Sequence, residues 1–324
     1  MQYRTTAQRT TGRRQILERV YLEQAVADLA TIDDYLRWGI SRFNSNQVYF
    51  GHGTDNAYDE AMVLLMHVLK IEPQAIEQFR HCRLTERERV AVVELFARRI
   101  RERIPAAYLT HQAWFAGLPF YVDERVLIPR SPLAELIEQG FQPWLPQPPQ
   151  RILDLCTGSA CIAIACAYAF DQAEVDAVDI SEDALAVAER NIEEHQLSQR
   201  VIPLQSDLFD AIRQERYDLI VSNPPYVDAE DMADLPAEYR HEPELGLAAG
   251  NDGLILVERI LRQAADQLNE GGMLICEVGN SMVALSQKYP QIPFTWLSFE
   301  RGGDGVFLLT RDELLQAQAL LRES

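Results

Sequence analysis

The segment Asn223-Pro224-Pro225-Tyr226 combines residue types that could hold a flat amino or amide group. It follows Tyr217–Ser222, a short apolar run that predicts a buried parallel strand, so Asn223 is expected at the carboxyl end of that strand, where open α/β sheets bind ligands. The Asn223 side-chain oxygen and the Pro224 carbonyl would be two acceptors on a stretch stiffened by prolines. Tyr226 adds an aromatic face. The pattern therefore predicts a site that accepts both N–H bonds of a planar NH2 group.

This segment resembles the Asn-Pro-Pro-Tyr signature of S-adenosylmethionine-dependent methyltransferases that modify an NH2 on a planar group. The targets of those enzymes are adenine, guanine and the side-chain amide of glutamine. A second interpretation is a proline-rich turn that only ends a strand. The segment alone does not separate these two interpretations, so the remainder of the chain has to decide between them.

Length and charge restrict the partners that the chain could have. With 324 residues it is long enough for two domains or one large domain, and its apolar and charged fractions are ordinary for a globular protein. The formal net charge of −19 would repel a phosphate backbone and attract a basic partner. The charge therefore disfavours a duplex nucleic-acid substrate and favours a basic protein, although acidity that serves only solubility remains an alternative.

The cysteines and histidines predict no metal site. The five cysteines form no Cys-x-x-Cys pair and the six histidines are scattered, which is typical of buried thiols in a reducing compartment. No apolar run approaches the length of a membrane span. The polar stretch Met1–Arg14 lacks the apolar core of a secretory signal and is predicted to be a flexible tail. We therefore expect a cytoplasmic protein.

The first part of the chain, residues 1–112, is predicted to be a small helical domain. Apolar residues recur at helical spacing between Ile16 and Arg103, and Asn56 is among the predicted cap residues. Pro73 and Pro105 fall where helices should start or stop. Nothing in this region indicates catalysis, so it is interpreted as a plain helical bundle, with substrate positioning as a possible added role.

The second part, residues 113–324, alternates strands with helices. A connecting β-hairpin is predicted within residues 113–129, and a turn is predicted at Gly271-Gly272. Alternation of this kind indicates a doubly wound, mostly parallel sheet of seven strands, and the closing strand pair separates a methyltransferase-type sheet from a dehydrogenase one. The predicted strands are Arg151–Leu155, Val175–Val178, Val201–Leu204, Tyr217–Ser222, Met273–Glu277, Phe294–Ser298 and Val306–Leu309.

The first strand of this sheet leads into a predicted nucleotide-binding turn. Residues Cys156–Ala160 are small and precede a helix, which is the strand–turn–helix arrangement of a nucleotide cradle, although only Gly158 is glycine. Asp179 lies about 20 positions after Gly158 and could accept both hydroxyls of a ribose. Asp207 and Leu208 could hold an adenine, while a helix cap is the alternative role for Asp207.

Further segments lie in a fixed order around these motifs. They are Arg103–Tyr108, Phe115–Phe120 and Val126–Arg130 before the cradle, and Glu242-Pro243, Leu247, Gly250–Leu254 and Glu277–Gly279 after the Asn-Pro-Pro-Tyr segment. In this order they resemble the protein-glutamine N-methyltransferases, the family that includes the release-factor glutamine methyltransferase. The resemblance runs from about Arg103 to the C-terminus.

Within that family the chain looks most similar to the subgroup that methylates a glutamine of the large-subunit ribosomal protein uL3. The segments Pro129–Glu135, Asp154–Ser159 and Phe299–Phe307 carry this likeness. The release-factor subgroup has more glycine in the cradle and usually Asp-Thr-Glu after the Pro-Arg, whereas this chain has Leu133–Glu135 there. Methylation of release factors is kept as the alternative function.

The resemblance implies a Rossmann-like class I methyltransferase fold, S-adenosyl-L-methionine as the cofactor and no metal. It implies that the N-terminal domain presents a basic ribosomal protein as substrate. The catalytic residues would be Asn223, Pro224 and Tyr226, which with Pro225 would also bind the substrate glutamine. The cofactor would be bound by Asp154, Cys156, Thr157, Gly158, Ser159, Ala160, Asp179, Asp207, Leu208 and Asn223.

Two rival functions remain. A nucleic-acid amino methyltransferase would share the Asn-Pro-Pro-Tyr chemistry, but the acidic charge and the absence of a basic face with interleaved aromatic residues disfavour it. A nucleotide-binding module or dehydrogenase would share the cradle and Asp179, yet it would have no use for Asn223 to Tyr226. Binding of S-adenosylhomocysteine in preference to NAD would exclude the second rival.

Overall fold

The computed structural model describes residues 19–322, so the predicted tail Met1–Arg14 lies outside it. The chain divides into two compact units, and the division falls between Thr110 and His111.

The first unit is helical, and its helix ends follow local capping chemistry. Thr31 and Thr85 each begin a helix with a capping box, because their hydroxyls accept from the amides of Asp34 and Glu88. Asn56 caps a third helix as predicted, since its side chain accepts from two amides of the first turn. Within residues 19–110 the helices are α1 (19–28), α2 (Ile32–Ser45), α3 (Ala57–Leu69), α4 (Ile76–Phe79), α5 (Glu86–Glu102) and α6 (Ala106–Thr110).

A buried ion pair fixes the loop between α2 and α3. Arg99 on α5 pairs with Glu60 on α3, and both side chains are almost fully buried. Arg99 Nη2 also donates to the Tyr49 carbonyl at 2.7 Å, and the Thr54 hydroxyl donates to Glu60. Through these two hydrogen bonds the ion pair holds the loop against both helices. Removal of either partner would leave a buried charge uncompensated.

The second unit contains the predicted hairpin and a seven-stranded sheet. The hairpin pairs β1 (Ala113–Phe115) antiparallel with β2 (Leu118–Phe120). The sheet has the order β5-β4-β3-β6-β7-β9-β8, and only β9 runs antiparallel to its neighbours. This arrangement confirms the predicted fold class. Its strands are β3 (Arg151–Leu155), β4 (Glu174–Asp179), β5 (Val201–Gln205), β6 (Tyr217–Ser222), β7 (Leu268–Glu277), β8 (Thr295–Trp296) and β9 (Val306–Thr310).

Helices cover both faces of the sheet, because its central strands are apolar on both sides. On β3, Ile152 packs into one core and Leu153 into the other. Helices α8 and α9 contribute to the core with Ile152, while α11 and α13 contribute to the core with Leu153. The helices are α7 (Leu133–Glu138), α8 (Cys161–Ala169), α9 (Glu182–Glu194), α10 (Ala229–Asp234), α11 (Ile255–Gln267), α12 (Met282–Lys288) and α13 (Arg311–Arg322).

Strand β7 corrects one prediction. Gly271-Gly272 was expected to be a turn before a strand at Met273, but β7 already begins at Leu268. Leu268 pairs with Tyr217 and Met273 pairs with Leu219, so the intervening residues form an irregularity within the strand. Asn269 strengthens this pairing, because its Nδ2 donates to the Asp218 carboxylate of β6 at 2.8 Å. Tertiary pairing thus outweighs the local turn preference of two glycines.

Candidate active site

The site lies where the direction of strand addition reverses. From β3 the chain adds β4 and β5 on one side and then returns to add β6 on the other. Such a switch point leaves a crevice at the carboxyl ends of the two central strands. A cavity opens there, and it is lined by residues of the predicted cradle, by Asp179, and by Asn223 and Pro225.

The cradle turn has an unusual backbone for its residues. Cys156 and Ala160 adopt left-handed φ values of 60° and 62°, which are strained for residues other than glycine. The Thr157 amide donates to the Val178 carbonyl at 2.9 Å and so ties the turn to β4. A Cβ added at Gly158 would meet no protein atom within 4 Å, since this residue faces the open cavity. The turn therefore leaves room for a ligand over its backbone.

Asp154 supports the cradle from beneath and does not line the cavity. It is fully buried, and its Oδ2 accepts from the Thr157 hydroxyl at 2.5 Å and from the Ala163 amide at 3.1 Å. Its Oδ1 has no hydrogen-bond partner among the described residues. Burial raises the pKa of Asp154 to about 7, because desolvation penalises the charged form.

Replacement of Asp154 by asparagine should remove a pH dependence of stability. An aspartate with a folded pKa of about 7 and an unfolded pKa of 3.8 stabilises the fold below pH 4, and that contribution is lost as pH rises to about 7. Between these values the free energy of unfolding should fall by up to about 4 kcal/mol more in the native protein than in Asp154→Asn. Urea unfolding across this pH range measures the difference. Asp183→Asn, at an exposed position, is the control, and equal pH slopes in all three proteins would contradict this interpretation.

Two carboxylates follow the cradle at the ends of β4 and β5. Asp179 accepts from the Gly158 amide at 2.9 Å and from the Ser181 amide at 3.0 Å, so it connects the cradle to the N-cap residue of α9. Burial raises the pKa of Asp179, although three backbone amides oppose this shift. Asp207 pairs with Arg259 of α11 at 2.9 Å and caps none of the described helices. Both carboxylates line the cavity.

The acceptors of the Asn-Pro-Pro-Tyr segment are unused by the protein. Ser222, the last residue of β6, donates its hydroxyl to the Leu155 carbonyl at 2.8 Å and fixes the strand end next to β3. Asn223 is half-buried and lines the cavity. Among the described residues, no donor reaches the Asn223 side-chain oxygen or the Pro224 carbonyl. The Asn223 oxygen is therefore available to a ligand in the cavity, whereas Pro224 is buried and does not line the cavity.

Tyr226 is held away from the cavity by a buried carboxylate. Its hydroxyl donates to Glu277 Oε1 at 2.9 Å, and the Ser131 hydroxyl donates to Glu277 Oε2. The Ser281 hydroxyl donates to the Tyr226 carbonyl at 2.8 Å, and a Cβ on Gly279 would stand 2.4 Å from the Tyr226 ring. Burial raises the pKa of both Tyr226 and Glu277. Close packing therefore fixes the ring from several sides.

The structure brings together most of the predicted site residues. Asp154, Ala160, Pro224 and Tyr226 are not among the residues that line the cavity, whereas the other predicted residues are, namely Cys156, Thr157, Gly158, Ser159, Asp179, Asp207, Leu208, Asn223 and Pro225. Arg125, Arg130 and Arg259 also line the cavity, and no role was predicted for them. Arg130 lies in a segment that carried the resemblance, and for the other two no sequence signal pointed to the cavity.

Residues 19–322 contain neither a cluster of metal-binding side chains nor a helix that could span a membrane. No group of three or more histidine, cysteine, aspartate or glutamate side chains is arranged to hold a metal ion there. None of the helices in that range combines the length and the apolar composition that a membrane span requires.

Comparison with known proteins gives family matches for both parts of the chain. The family described as Methyltransferase small domain matches residues 139–238, and the PrmC N-terminal domain matches residues 34–110. The ribosomal protein uL3 glutamine methyltransferase of Francisella tularensis subsp. tularensis is 49% identical over 296 residues, which cover 91% of this chain and 94% of that protein. The protein of the same name from Neisseria gonorrhoeae is 50% identical over 295 residues, which cover 90% of this chain and 98% of that protein.

Proposed function

The chain belongs to the ribosomal protein uL3 glutamine methyltransferase family, and from this membership we propose that it methylates the side-chain amide nitrogen of a glutamine in uL3, with S-adenosylmethionine as the methyl donor. The alternative of release-factor methylation has no comparable support, since both relatives carry the uL3 name. The observation that carries the chemistry is the unused Asn223 Oδ1, which lines the cavity at the end of β6, and we propose that the neighbouring Pro224 carbonyl is the second acceptor.

The residues of the cavity fit an S-adenosyl ligand. Gly158 leaves open space over the cradle, where the methionine part would lie. Asp179 already accepts two backbone amides, and its remaining lone pairs can accept ribose hydroxyls. Leu208 and Asp207 together offer an apolar surface and an acceptor, which suit an adenine and its amino group. When bound, this cofactor supplies an electrophilic methyl group on a sulfonium.

Asn223 and Pro224 would act by orienting the substrate amide. An amide nitrogen is a weak nucleophile because its lone pair is delocalised into the carbonyl. If the two acceptors bind both N–H groups, they fix the direction of the nitrogen lone pair and stabilise positive charge that develops on nitrogen. Orientation of two reactants in this way can contribute about 7–11 kcal/mol to lowering a barrier. The proton can leave after transfer, so the chain needs no dedicated general base.

Tyr226→Phe should retain much of the activity. The ring would keep its packing on Gly279, while Glu277 would lose one of its two hydroxyl donors. The loss of one hydrogen bond to a buried carboxylate should lower the free energy of unfolding by about 1–3 kcal/mol. We expect kcat to fall by less than about tenfold and cofactor affinity to be unchanged, as measured by steady-state kinetics and calorimetry.

The control for this substitution is Tyr168→Phe, which removes the hydroxyl of an exposed tyrosine that contacts His195 Nδ1. That variant should be within error of the native protein in stability and kinetics. If Tyr226→Phe instead eliminates methyl transfer without unfolding the protein, the hydroxyl takes part in the reaction, and Tyr226 does more than provide a packing surface for the substrate.

We further propose that the helical N-terminal domain presents the ribosomal protein to the active site. The match of residues 34–110 to the PrmC N-terminal domain supports a family-specific role for it. The net charge of −19 is suited to a basic protein partner and not to a duplex nucleic acid.

Transfer of a labelled methyl group to a cell extract tests the proposed function. The extract should come from cells that lack their own copy of this enzyme, so that the acceptor site is unmodified. We expect one labelled band, a basic ribosomal protein that mass spectrometry identifies as uL3. Label on a release factor would contradict the substrate assignment, and label in nuclease-sensitive material would contradict the assignment to protein.

A further inference from the structure

Three arginines line the cavity, and each could supply a positive charge to a ligand with a free carboxylate. Each of the three pairs with a carboxylate, Arg125 with Asp123 at 2.7 Å included, so pairing alone does not distinguish them. Arg130 donates from both terminal nitrogens to Glu242, at 2.6 and 2.8 Å, and that carboxylate is fully buried. Arg259 pairs with Asp207 at the end where the adenine is expected.

The third arginine, Arg125, is oriented by a fork of hydrogen bonds that leaves one nitrogen unused. Its Nε donates to Asp123 Oδ1 at 2.9 Å and its Nη2 donates to Asp123 Oδ2 at 2.7 Å. The Tyr121 hydroxyl also donates to Asp123 Oδ2, at 2.9 Å. Among the described residues no acceptor contacts Arg125 Nη1. A guanidinium that is fixed on one edge presents its other donors in a defined direction.

Hydrogen bonds connect the Arg125 segment to the cradle. The Tyr121 amide donates to Asn191 Oδ1 at 2.8 Å, and Asn191 Nδ2 donates to the Tyr121 carbonyl at 3.0 Å and to the Ser159 carbonyl at 2.9 Å. Asn191 is completely buried, so this connection is rigid. Arg125 thus belongs to the segment tied to the cradle, whereas Arg259 pairs with the carboxylate at the end of β5.

An anion bound at the cradle would also lie close to the amino terminus of α8. That helix spans nine residues, and Ala160 before it provides no side-chain cap, although Asp154 Oδ2 accepts from the Ala163 amide in the first turn. A carboxylate next to Gly158 and Ser159 would benefit from both the helix dipole and a guanidinium.

We propose that Arg125 Nη1 binds the α-carboxylate of the methionine part of S-adenosylmethionine, with Asp123 as the residue that orients the guanidinium. This inference depends on the proposed cofactor, but it does not depend on which protein is methylated. It assigns the third cavity arginine to the one permanently anionic group of that cofactor.

Calorimetric binding of two ligands tests this assignment without any turnover. The ligands are S-adenosylhomocysteine and its decarboxylated analogue, in which hydrogen replaces the α-carboxylate. The native protein should bind S-adenosylhomocysteine at least about tenfold more tightly than the analogue. Arg125→Ala should lose most of that preference, because its affinity for S-adenosylhomocysteine falls about tenfold while its affinity for the analogue stays within about twofold. Arg125→Lys, which keeps the charge but loses the fork, should lie between the two.

Arg213→Ala is the matched control, since Arg213 is exposed and also pairs with an aspartate, Asp210. It should bind both ligands as the native protein does. Equal weakening of both ligands in Arg125→Ala would mean that Arg125 only supports the shape of the cavity, and would overturn the proposal. Unchanged binding of both ligands with a raised KM for the protein substrate would also overturn it, because Arg125 would then contact the substrate.

The outcomes separate this inference from the proposed function. If the native protein discriminates the two ligands through Arg125 but does not methylate uL3, the inference stands and the substrate assignment fails. If the native protein binds neither ligand, the proposed cofactor and this inference fail together.

Discussion

Asn223→Ala is expected to reduce methyl transfer by about 10³-fold or more, to the limit of detection. The substitution removes one of two acceptors that would hold the substrate NH2, and the Pro224 carbonyl alone cannot fix the nitrogen lone pair. The protein should remain folded, because the Asn223 side chain makes no hydrogen bond to another described residue. Affinity for S-adenosylhomocysteine should stay within a few-fold, since the carboxylates and the cradle are unchanged. Single-turnover methylation and calorimetry measure the two effects.

Asn251→Ala is the control for this experiment, because Asn251 is an exposed asparagine on the same unit. It should methylate at the native rate. If Asn223→Ala still methylates within about tenfold of the native rate, a pair of acceptors at the end of β6 is not the source of the rate enhancement. The chemistry would then have to rest on other groups that line the cavity.

Asp179→Ala is expected to weaken cofactor binding by about 10- to 100-fold, because hydrogen bonds to a charged acceptor each contribute about 1.5–3 kcal/mol. The variant would lose the proposed contacts to the ribose, and the amides of Gly158 and Ser181 would lose their acceptor. The effect should therefore appear in the dissociation constant of S-adenosylhomocysteine. At saturating cofactor, the methylation rate should recover most of its native value.

Asp179→Asn separates the two roles of this side chain, since it retains one oxygen acceptor but no charge. We expect it to lie between the native protein and Asp179→Ala in affinity. Asp183→Ala, in the exposed first turn of α9, is the control and should bind normally. Affinity within twofold of native in Asp179→Ala would exclude a ribose contact at this position.

The sheet could be predicted because its strands are short apolar runs in the regular alternation of an α/β fold. Buried parallel strands are apolar on both faces, so they can be recognised in the sequence without knowledge of the strands that they pair with. The prediction of a turn at Gly271-Gly272 was wrong because it used only the local preference of the two glycines. The pairing of Leu268 with Tyr217 and the bond from Asn269 to Asp218 are tertiary, and no local pattern reports them.

Predicted residues at strand ends line the cavity, whereas Asp154, inside a strand, does not. Cys156, Asp179 and Asn223 lie at or just after the ends of β3, β4 and β6, where topology alone directs them into the crevice. Asp154 lies within β3 on the same face as Ile152, so its side chain points beneath α8 and not into the cavity.

Other features of the site depend on contacts between distant residues. Tyr226 was predicted to be a wall for the substrate, but its hydroxyl bonds Glu277, which follows 51 positions later. Arg259 pairs with Asp207, and Arg130 pairs with Glu242 across 112 positions. Spacing in the sequence carries no signal for such pairs, because they form only when segments far apart in the chain come together around the cavity.

The most direct test of the account is fragment mass spectrometry of purified uL3 after methylation by this enzyme. The native protein should place a single methyl group on the side-chain amide nitrogen of one glutamine, and Asn223→Ala should leave that glutamine unmodified. A methyl group on a carboxylate, an amine or a backbone atom would contradict the proposal that Asn223 and Pro224 hold a planar NH2 for methyl transfer.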